Sequence, residues 1–436
     1  MNRSMYNELL SWKIRQRRKP LLLQGARQVG KTYLVEMFGK NEYGSFYKFN
    51  FEKNPGLGEL FKNDLTPAKI IENLSLFSGQ KISSKDTLIF FDEIQTVPEV
   101  LTSLKYFYEE ASEYHIIAAG SLLGVSVAKE SSFPVGKVNF MMLRPMSFSE
   151  YLAAFQEELL AEKLKRMTIA EPLPEIIHEK LLAHLKIYLY LGGMPEVLQE
   201  YVNSRDIALA REIQNEILEA YTRDFSKYSD KLQAIKTAEF WHSIPRQLAR
   251  ENKKFKYSQA RKNARASTFE QTIQWLKNAG LINVVYNISI PKLPLSGYAD
   301  YAKFKVYLLD SGLLGAMLNI SSNIILNSNA LFSEYNGAFT ENYVASELVA
   351  AGHKNLYYWT SKSDAEVDFV LQQDDSIVPL EVKSGLNRNI KSLRSYADKY
   401  KPKRIYRTSP RNFTHDRDFV NIPLYAMSSF PLLSES

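Results

Sequence analysis

Apolar residues in the first third of the chain fall in short unbroken runs, and further on they recur at three- and four-residue spacing. Leu21–Leu23, the centre of DTLIFFDEIQ (86–95) and the centre of YHIIAAGSLLG (114–124) are continuous runs. They predict strands buried on both faces of a parallel sheet. YLVEMFG (33–39) predicts a helix directly after the first run. From about residue 150 the pattern becomes helical, in YLAAFQEELLAEKLKRM and LPEIIHEKLLAHLKIYLYLGG, where Gly192, Gly193 and Pro195 mark a stop. REIQNEILEAYTRDFSKYSD extends this helical block. Beyond it, KTAEFWHSIPRQLARE reads as a helix broken around Pro245. FKYSQARKNARASTFEQTIQWLKNAGLI offers two more helices, and INVVYNISI a strand. The prolines of PKLPLSGYADYAKFKVYLLD mark a linker that leads into a short strand. A helix from about Ala338, the strand LYYWTS, and the pair EVDFVL and IVPLEVKSG joined by a polar turn close the pattern, with a helix near Leu393–Tyr400 and two further strand-like runs.

These elements predict a multidomain α/β protein. A three-layer core occupies 1–150, a helical segment 151–230, a winged-helix-like unit 231–295, a linker with a small strand and helix 296–335, and a last α/β domain 336–436. Length agrees, because 436 residues exceed one ordinary core. The composition is globular. With no cysteine in the chain, disulfides, thiolate catalysis and cysteine zinc sites are excluded. The formal charge of +7 permits a polyanionic partner without requiring one. No apolar run precedes the charges of the first twenty residues, and none reaches 18 residues. The expectation is a cytoplasmic protein with no membrane segment.

The first candidate chemistry is GARQVGKT, Gly25 to Thr32, which fits G-x-x-x-x-G-K-T between a strand and a helix. Glycines let the backbone wrap phosphates closely, and successive N–H groups at a helix start face the negative charge. The backbone of Gly25, Ala26, Arg27, Gln28, Val29, Gly30, Lys31, Thr32 and Tyr33 is therefore the expected ATP cradle. Lys31 is expected to reach the β- and γ-phosphates and the Thr32 hydroxyl to hold Mg²⁺. Asp92, at the end of the second apolar run, is the expected carboxylate for that Mg²⁺, and Glu93 the group that polarises the attacking water. Ser121 follows the third run and is expected either as a polar sensor of the γ-phosphate or as a turn cap. An arginine from a neighbouring subunit often completes such sites. Arg144, Lys137 and Arg27 are the basic residues near the relevant loops, which leaves a homo-oligomer open.

Three helices followed by a strand is also the order of a winged helix. Its basic run, with Arg261, Lys262 and Arg265, would meet the phosphates of a nucleic acid, DNA being favoured. A winged helix used only for packing is the equal alternative. Trp275 reads as core. His178 and His184, six apart, do not share a helix face and read as ordinary histidines.

The last stretch with chemistry is EVDFVLQQDDSIVPLEVKSG (366–385). An antiparallel hairpin brings Asp368 toward Glu381. Glu381 and Lys383 share one face of a strand, while Val382 points into the core. Carboxylates that gather Mg²⁺ or Mn²⁺ would neutralise a scissile phosphate and activate water, with Lys383 orienting that water and Glu341 adding charge. The plain alternative is a hairpin whose charges meet solvent.

The pieces LLLQGARQVGKTYL, TLIFFDEIQ, IIAAGSLLG, LRPMSFSEYL, YLYLGGMPEVL, FKVYLLDSGLLGAM, FTENYVASEL and AEVDFVLQQDDSIVPLEVKSG together resemble archaeal and bacterial ATPases that join an AAA-like N-terminal domain to a C-terminal DUF4143 domain. The resemblance places Walker A residues at Gly25, Gly30, Lys31 and Thr32 and Walker B residues at Asp92 and Glu93. It implies a restriction-endonuclease-like PD-(D/E)xK fold for the last domain, with Glu341, Asp368, Glu381 and Lys383 on its characteristic positions. Where many members carry Gly-Arg, this chain has Gly136-Lys137. The implied function is ATP hydrolysis coupled to DNA binding or processing, with metal-dependent cleavage by the last domain. The alternative is an ATP-dependent regulatory or protein-binding switch whose nuclease-like domain is inactive.

Overall fold

The computed structural model describes residues 3–120, 134, 136–167, 172–227, 230–250, 254–322, 336–361, 365–386 and 389–430. The expected role of Ser121 lies outside them. Helix α1 (Met5–Lys13) precedes an alternation of β1 (Leu21–Gln24), α2 (Lys31–Glu42), β2 (Ser45–Asn50), α3 (Pro67–Ser78), β3 (Thr87–Asp92), α4 (Pro98–Glu110), β4 (His115–Ala119) and β5 (Asn139–Met142). The five strands form one sheet in the order β2-β3-β4-β1-β5, and every pairing is parallel.

The unbroken apolar runs fill two layers because side chains reverse at each strand residue. Leu21, Leu23, Leu88, Phe90, Ile117 and Ala119 face the core shared with α1 and α2. Leu22, Ile89, Phe91, Ile116 and Ala118 face a second core with Ile70 and Leu74 of α3 and Leu101 and Leu104 of α4. This is the expected three-layer core. The loop after β1 and the end of β3 lie at the carboxyl edge of the sheet with β4 between their strands, where open α/β sheets take ligands.

Five helices follow: α5 (Phe148–Ala154), α6 (Glu158–Lys165), α7 (Glu175–Leu191), α8 (Pro195–Ser204) and α9 (Ile207–Lys227). The turn after α7 is held very close. A Cβ at Gly193 would lie 2.0 Å from the Met146 carbonyl oxygen, so glycine is required there. The Gly193 carbonyl accepts from Met146 N at 2.7 Å, and its N–H donates to Asp310 Oδ2 at 2.6 Å. YLYLGG and YLLDSG, over 100 residues apart in sequence, thus dock on one another.

Next come α10 (Lys231–Leu248), α11 (Tyr257–Ala260), α12 (Ala266–Asn278), the antiparallel pair β6 (Ile282–Ile288) and β7 (Ala299–Leu308), and α13 (Ser311–Met317). Two expectations change here. Helix α10 runs through Pro245 instead of breaking, because only its last turn follows the proline. The expected linker contains β7, a ten-residue strand, and Pro291 and Pro294 sit in the loop between β6 and β7.

The last segment holds α14 (Asn336–Ala350), β8 (Leu356–Thr360), β9 (Glu366–Gln373), β10 (Ser376–Val382), α15 (Lys391–Tyr400), β11 (Ile405–Ser409), β12 (Thr414–Asp416) and β13 (Phe419–Pro423). Its strands continue into the preceding pair as one eight-stranded sheet, β12-β13-β11-β10-β9-β8-β6-β7. The joint is the parallel pairing of β6 with β8. Strands on either side of the boundaries expected at 295 and 335 therefore pair within one sheet.

Candidate nucleotide site and the charged cluster of the second sheet

The loop Gly25–Gly30 adopts the backbone its sequence calls for. Gly25 has φ 149° and Gly30 has φ 90°. A Cβ at Gly25 would lie 2.3 Å from the Leu143 carbonyl oxygen, so this glycine is needed for close passage of β5's end as well as for its dihedral. Helix α2 starts at Lys31, directing its first N–H groups at the loop. The Lys31 ammonium donates to the carbonyls of Gly25 at 3.1 Å and Ala26 at 2.8 Å. Burial pulls its pKa down to about 8, while Glu93 and Asp92 work against that shift. A half-buried cation held by neutral carbonyls, beside a glycine cradle, fits a phosphate group.

Asp92 is buried and has three neighbours that read it as a charge. Thr32 Oγ1 lies 3.3 Å from both carboxylate oxygens, Asn50 Nδ2 donates to Oδ2 at 3.1 Å, and Lys48 Nζ stands 3.1 Å from the same oxygen. The register explains the set: β2 and β3 pair in parallel with Asn50 opposite Asp92. Thr32 and Asp92, expected to share Mg²⁺, are thus brought together and fit that ion. Glu93 follows at φ 56°, a left-handed backbone unusual for a glutamate, and its carboxylate accepts from Gln95. Such local strain is concentrated at functional sites.

Distant elements fasten the loop from behind. Buried Arg3 donates to the Val29 carbonyl at 3.0 Å and to the Arg144 carbonyl, and pairs with Glu150 at 3.3 Å. Arg27 pairs with Asp224 of α9 at 2.8 Å, and Tyr221 donates to the Arg27 carbonyl at 2.9 Å. Gly280, at the end of α12, passes so near that its Cβ would sit 3.8 Å from Ala26 N and 3.9 Å from Arg144 Nη1. Arg144 is accordingly half-buried in its own chain, where burial pulls its pKa down to about 10. Arg27 is occupied within the chain as well, whereas Lys137 stands at the surface paired with Glu109 at 2.9 Å. Gln28 approaches Glu196 at 3.4 Å, and Tyr33 is exposed. Because Asp224 fixes Arg27 on the loop, Asp224→Ala is expected to slow ATP turnover roughly tenfold through loss of positioning. The half-exposed Arg27 can then turn to solvent, so thermal denaturation should change little; unchanged turnover in a folded variant would remove this role.

The second sheet gathers its charges differently from expectation. The pairing of β9 with β10 continues to set Asp368 opposite Glu381, and Asp368 Oδ2 accepts from Val382 N at 2.8 Å. Lys383 Nζ pairs with Glu381 at 2.8 Å. Glu381 is buried, which raises its pKa against the pull of Lys383 and Arg407. Val382 is in the core as expected. The missing participant in the expectation is Lys305 of β7. Its side chain is 1% exposed, and Nζ lies 3.7 Å from Glu341 Oε2, 3.7 Å from Asp368 Oδ1, and in contact with Glu366. Tyr307 donates to Glu341 at 2.8 Å. Burial works against the Lys305 charge, yet Tyr307 and the surrounding carboxylates hold its pKa well above the usual ammonium value. Among the described residues, no three His, Asp or Glu side chains form a group able to hold a metal ion. Lys305 thus stands between Glu341 and Asp368, while Glu381 pairs with Lys383.

Sequence reasoning passed over Arg3, Lys48, Asn50, Asp224 and Lys305. Signals existed for some. Gln214, Tyr221 and Asp224 lie on the stripe Ala210, Gln214, Ile217, Tyr221, Asp224 that α9 buries, so two polar residues interrupt an apolar seam. Lys305 is the second residue of the otherwise apolar run FKVYLL. Nothing local distinguishes Arg3. No described helix is long and apolar enough to cross a membrane.

Three family models match the chain: an AAA domain over residues 17–152, a domain of unknown function (DUF8612) over 182–324, and another (DUF4143) over 336–427. No curated protein matches it. Similar solved structures include the Walker-type ATPase PABY2304 of Pyrococcus abyssi, at 15% identity over 73% of this chain and 95% of that one, with TM-score 0.44. The Aeropyrum pernix ORC1 protein in complex with DNA aligns at 12% identity over 72% and 90%, with TM-score 0.29. AMPPCP-bound DnaA from Aquifex aeolicus aligns at 16% over 63% and 86%, with TM-score 0.21. These likenesses are remote, and the P-loop fold is carried instead by the strand order, the loop geometry and the AAA match. Family models thus place an AAA domain at residues 17–152 and a DUF4143 domain at 336–427, the two domains whose joining the sequence resembles.

Proposed function

We propose that the chain binds ATP with Mg²⁺ in the Gly25–Thr32 loop and hydrolyses it, using the energy to change how its second sheet and winged-helix-like unit engage DNA. The observation that carries this reading is the pairing of Lys31, held on neutral carbonyls, with the Thr32–Asp92 contact. Lys31 binds the β- and γ-phosphates, and the loop N–H groups orient them. Thr32 and Asp92 would hold Mg²⁺, which supplies neutralisation of phosphate charge. Glu93 takes the proton side of the reaction by polarising the attacking water. The Arg27–Asp224 pair and the hydrogen bond from Tyr221 to the Arg27 carbonyl give the loop a direct connection to α9.

DNA is the favoured partner because the turn before α12 carries exposed Lys262 and Arg265, while Arg261 is tied to Glu239 at 2.6 Å. The exposed face of α12 adds Gln271, Gln274 and Asn278, side chains that can meet base edges. Of the readings of the last domain, the inactive nuclease-like one is preferred, because Lys305 occupies the carboxylate cluster. A homo-oligomer stays part of this proposal, with Lys137 the surface cation among the three considered.

The test measures ATP turnover with Mg²⁺ and DNA affinity on the intact chain. Glu93→Gln is expected to keep ATP binding and lose turnover by about 10²-fold or more. DNA affinity is expected to fall steeply with salt, and Lys262→Ala with Arg265→Ala to reduce the log–log salt slope by about two. A slope unchanged by that pair would return α12 to a packing role, and absence of turnover in the wild type would reject hydrolysis.

A further inference from the structure

We propose that the Lys305 ammonium is a built-in replacement for a divalent cation, so that the carboxylates of the second sheet form a self-contained ion cluster that takes no Mg²⁺ or Mn²⁺. The proposal rests on the reading of the last domain as non-cutting and states what makes it so.

Glu341 comes from α14, Asp368 and Glu366 from β9, and Lys305 from β7. Two strands, β6 and β8, separate β7 from β9 in the sheet order, yet the sheet curls enough for Nζ to reach Asp368. The same curl places the Tyr307 and Phe369 rings 6.0 Å apart. Nζ is equidistant from Glu341 and Asp368 at 3.7 Å and also touches Glu366, which puts it between acids on two elements rather than beside one of them. That is the place a shared cation would occupy. The Lys305 side chain is 1% exposed, so it cannot swing out to solvent without opening the core. A buried ammonium is expensive unless paired, and so are clustered carboxylates; each offsets the other here. Glu341 Oε2, the oxygen facing Lys305, also accepts from Tyr307, and the second Asp368 oxygen, Oδ2, accepts from Val382 N. A metal would have to displace both a lysine and a main-chain donor. Glu381, opposite Asp368 on β10, pairs through Oε1 with Lys383, and its Oε2 is buried without a hydrogen-bond partner.

The experiment uses nucleotide-free full-length chain carrying Asp92→Asn, which removes the carboxylate of the ATP site, and titrates Mn²⁺ by electron paramagnetic resonance. The parent is expected to hold no Mn²⁺ that Asp368→Asn removes. Lys305→Met is expected to gain one bound Mn²⁺ per chain and to lose it again when Asp368→Asn is added. In thermal denaturation Lys305→Met should melt below the parent, and Mn²⁺ at ten times its dissociation constant should raise that midpoint by on the order of 3 °C, with no such rise in the parent. Mn²⁺ bound by the parent and lost with Asp368→Asn overturns the proposal. So does a folded Lys305→Met that takes up no Mn²⁺. If Lys305→Met does not fold, the parent and its Asp368→Asn variant decide alone. Metal-dependent DNA cleavage would sink the non-cutting reading as well, whereas Mn²⁺ binding without cleavage would sink only this proposal.

Discussion

Lys31→Ala is expected to abolish measurable ATP turnover, a loss of at least about 10²-fold, and to erase the rise in melting temperature that ATP gives the wild type. The physical basis is the environment of the ammonium. In the free chain Lys31 is half-buried, its pKa is pulled down to about 8, and its partners are the Gly25 and Ala26 carbonyls. Neutral acceptors only partly offset the desolvation of a charge, whereas phosphate oxygens would do so fully and with charge-assisted bonds. The free variant should therefore melt at or slightly above the wild-type temperature, since a half-buried, poorly compensated cation has been removed. Turnover and nucleotide-induced stabilisation are read in one titration series on both chains. Wild-type turnover in Lys31→Ala would disprove the loop assignment, and a large destabilisation of the free variant would show that Lys31 is a structural residue.

The second large effect is a fall in stability as pH rises toward 8, governed by Glu347. This residue lies on α14 and is buried where the last segment meets the ATPase core. Its Oε1 accepts from Phe148 N at 3.0 Å and lies 3.4 Å from the Tyr188 hydroxyl, whose proton goes to the Met146 carbonyl at 2.6 Å. Oε2 is buried with no partner. Tyr343 packs nearby against Tyr188, and Glu150 adds a like charge. Burial raises the Glu347 pKa from 4.5 to about 8. Folding thus favours the protonated form. The unfolded chain releases that proton above about 4.5, so the folded state binds more protons between the two values. Stability is full below about 4.5 and is lost as pH rises through about 8, with a slope of at most about 1.4 kcal/mol per pH unit for one group. Asp310, raised to about 6 by burial, adds a smaller decline starting near 3.8. Glu347→Gln keeps an acceptor for Phe148 N and carries no charge, so it is expected to flatten the decline between pH 6 and 8 and to melt several degrees above wild type at pH 8. Thermal denaturation of both chains at pH 5, 6, 7 and 8 decides it. Parallel curves at all four pH values would assign the decline to other groups.

The nucleotide site was legible because its chemistry is local. GARQVGKT lies within eight residues, and a backbone loop that cradles phosphates needs only its own glycines and the following helix. Asp92 was legible for a related reason: an unbroken apolar run that ends in an acid is a buried strand delivering a carboxylate to the sheet edge. The partners of that carboxylate were not legible. Lys48 and Asn50 reach Asp92 through the parallel register of β2 on β3, and register across 42 residues leaves no trace in either strand's own pattern. The surroundings of the basic residues near the loop were not legible either: Asp224 of α9 pairs with Arg27, and Arg144 is half-buried.

By itself the sequence determined the alternation of strands and helices in the first domain, the loop that takes phosphate, the helical block, and the hairpin with Asp368 and Glu381 on facing strands. All of these follow from periodicity or from glycine chemistry within about twenty residues. Tertiary structure alone decided that β6 and β7 belong to the last sheet, because a parallel pairing such as β6 with β8 joins segments about 70 residues apart through backbone groups every residue possesses. It alone decided the state of the charges in that sheet. Asp368, Glu381 and Lys383 suggested a metal site while they were viewed together. The curl of the sheet brings Lys305, more than 60 residues upstream of Asp368, into the cluster, and a buried ammonium among carboxylates changes what those carboxylates can bind.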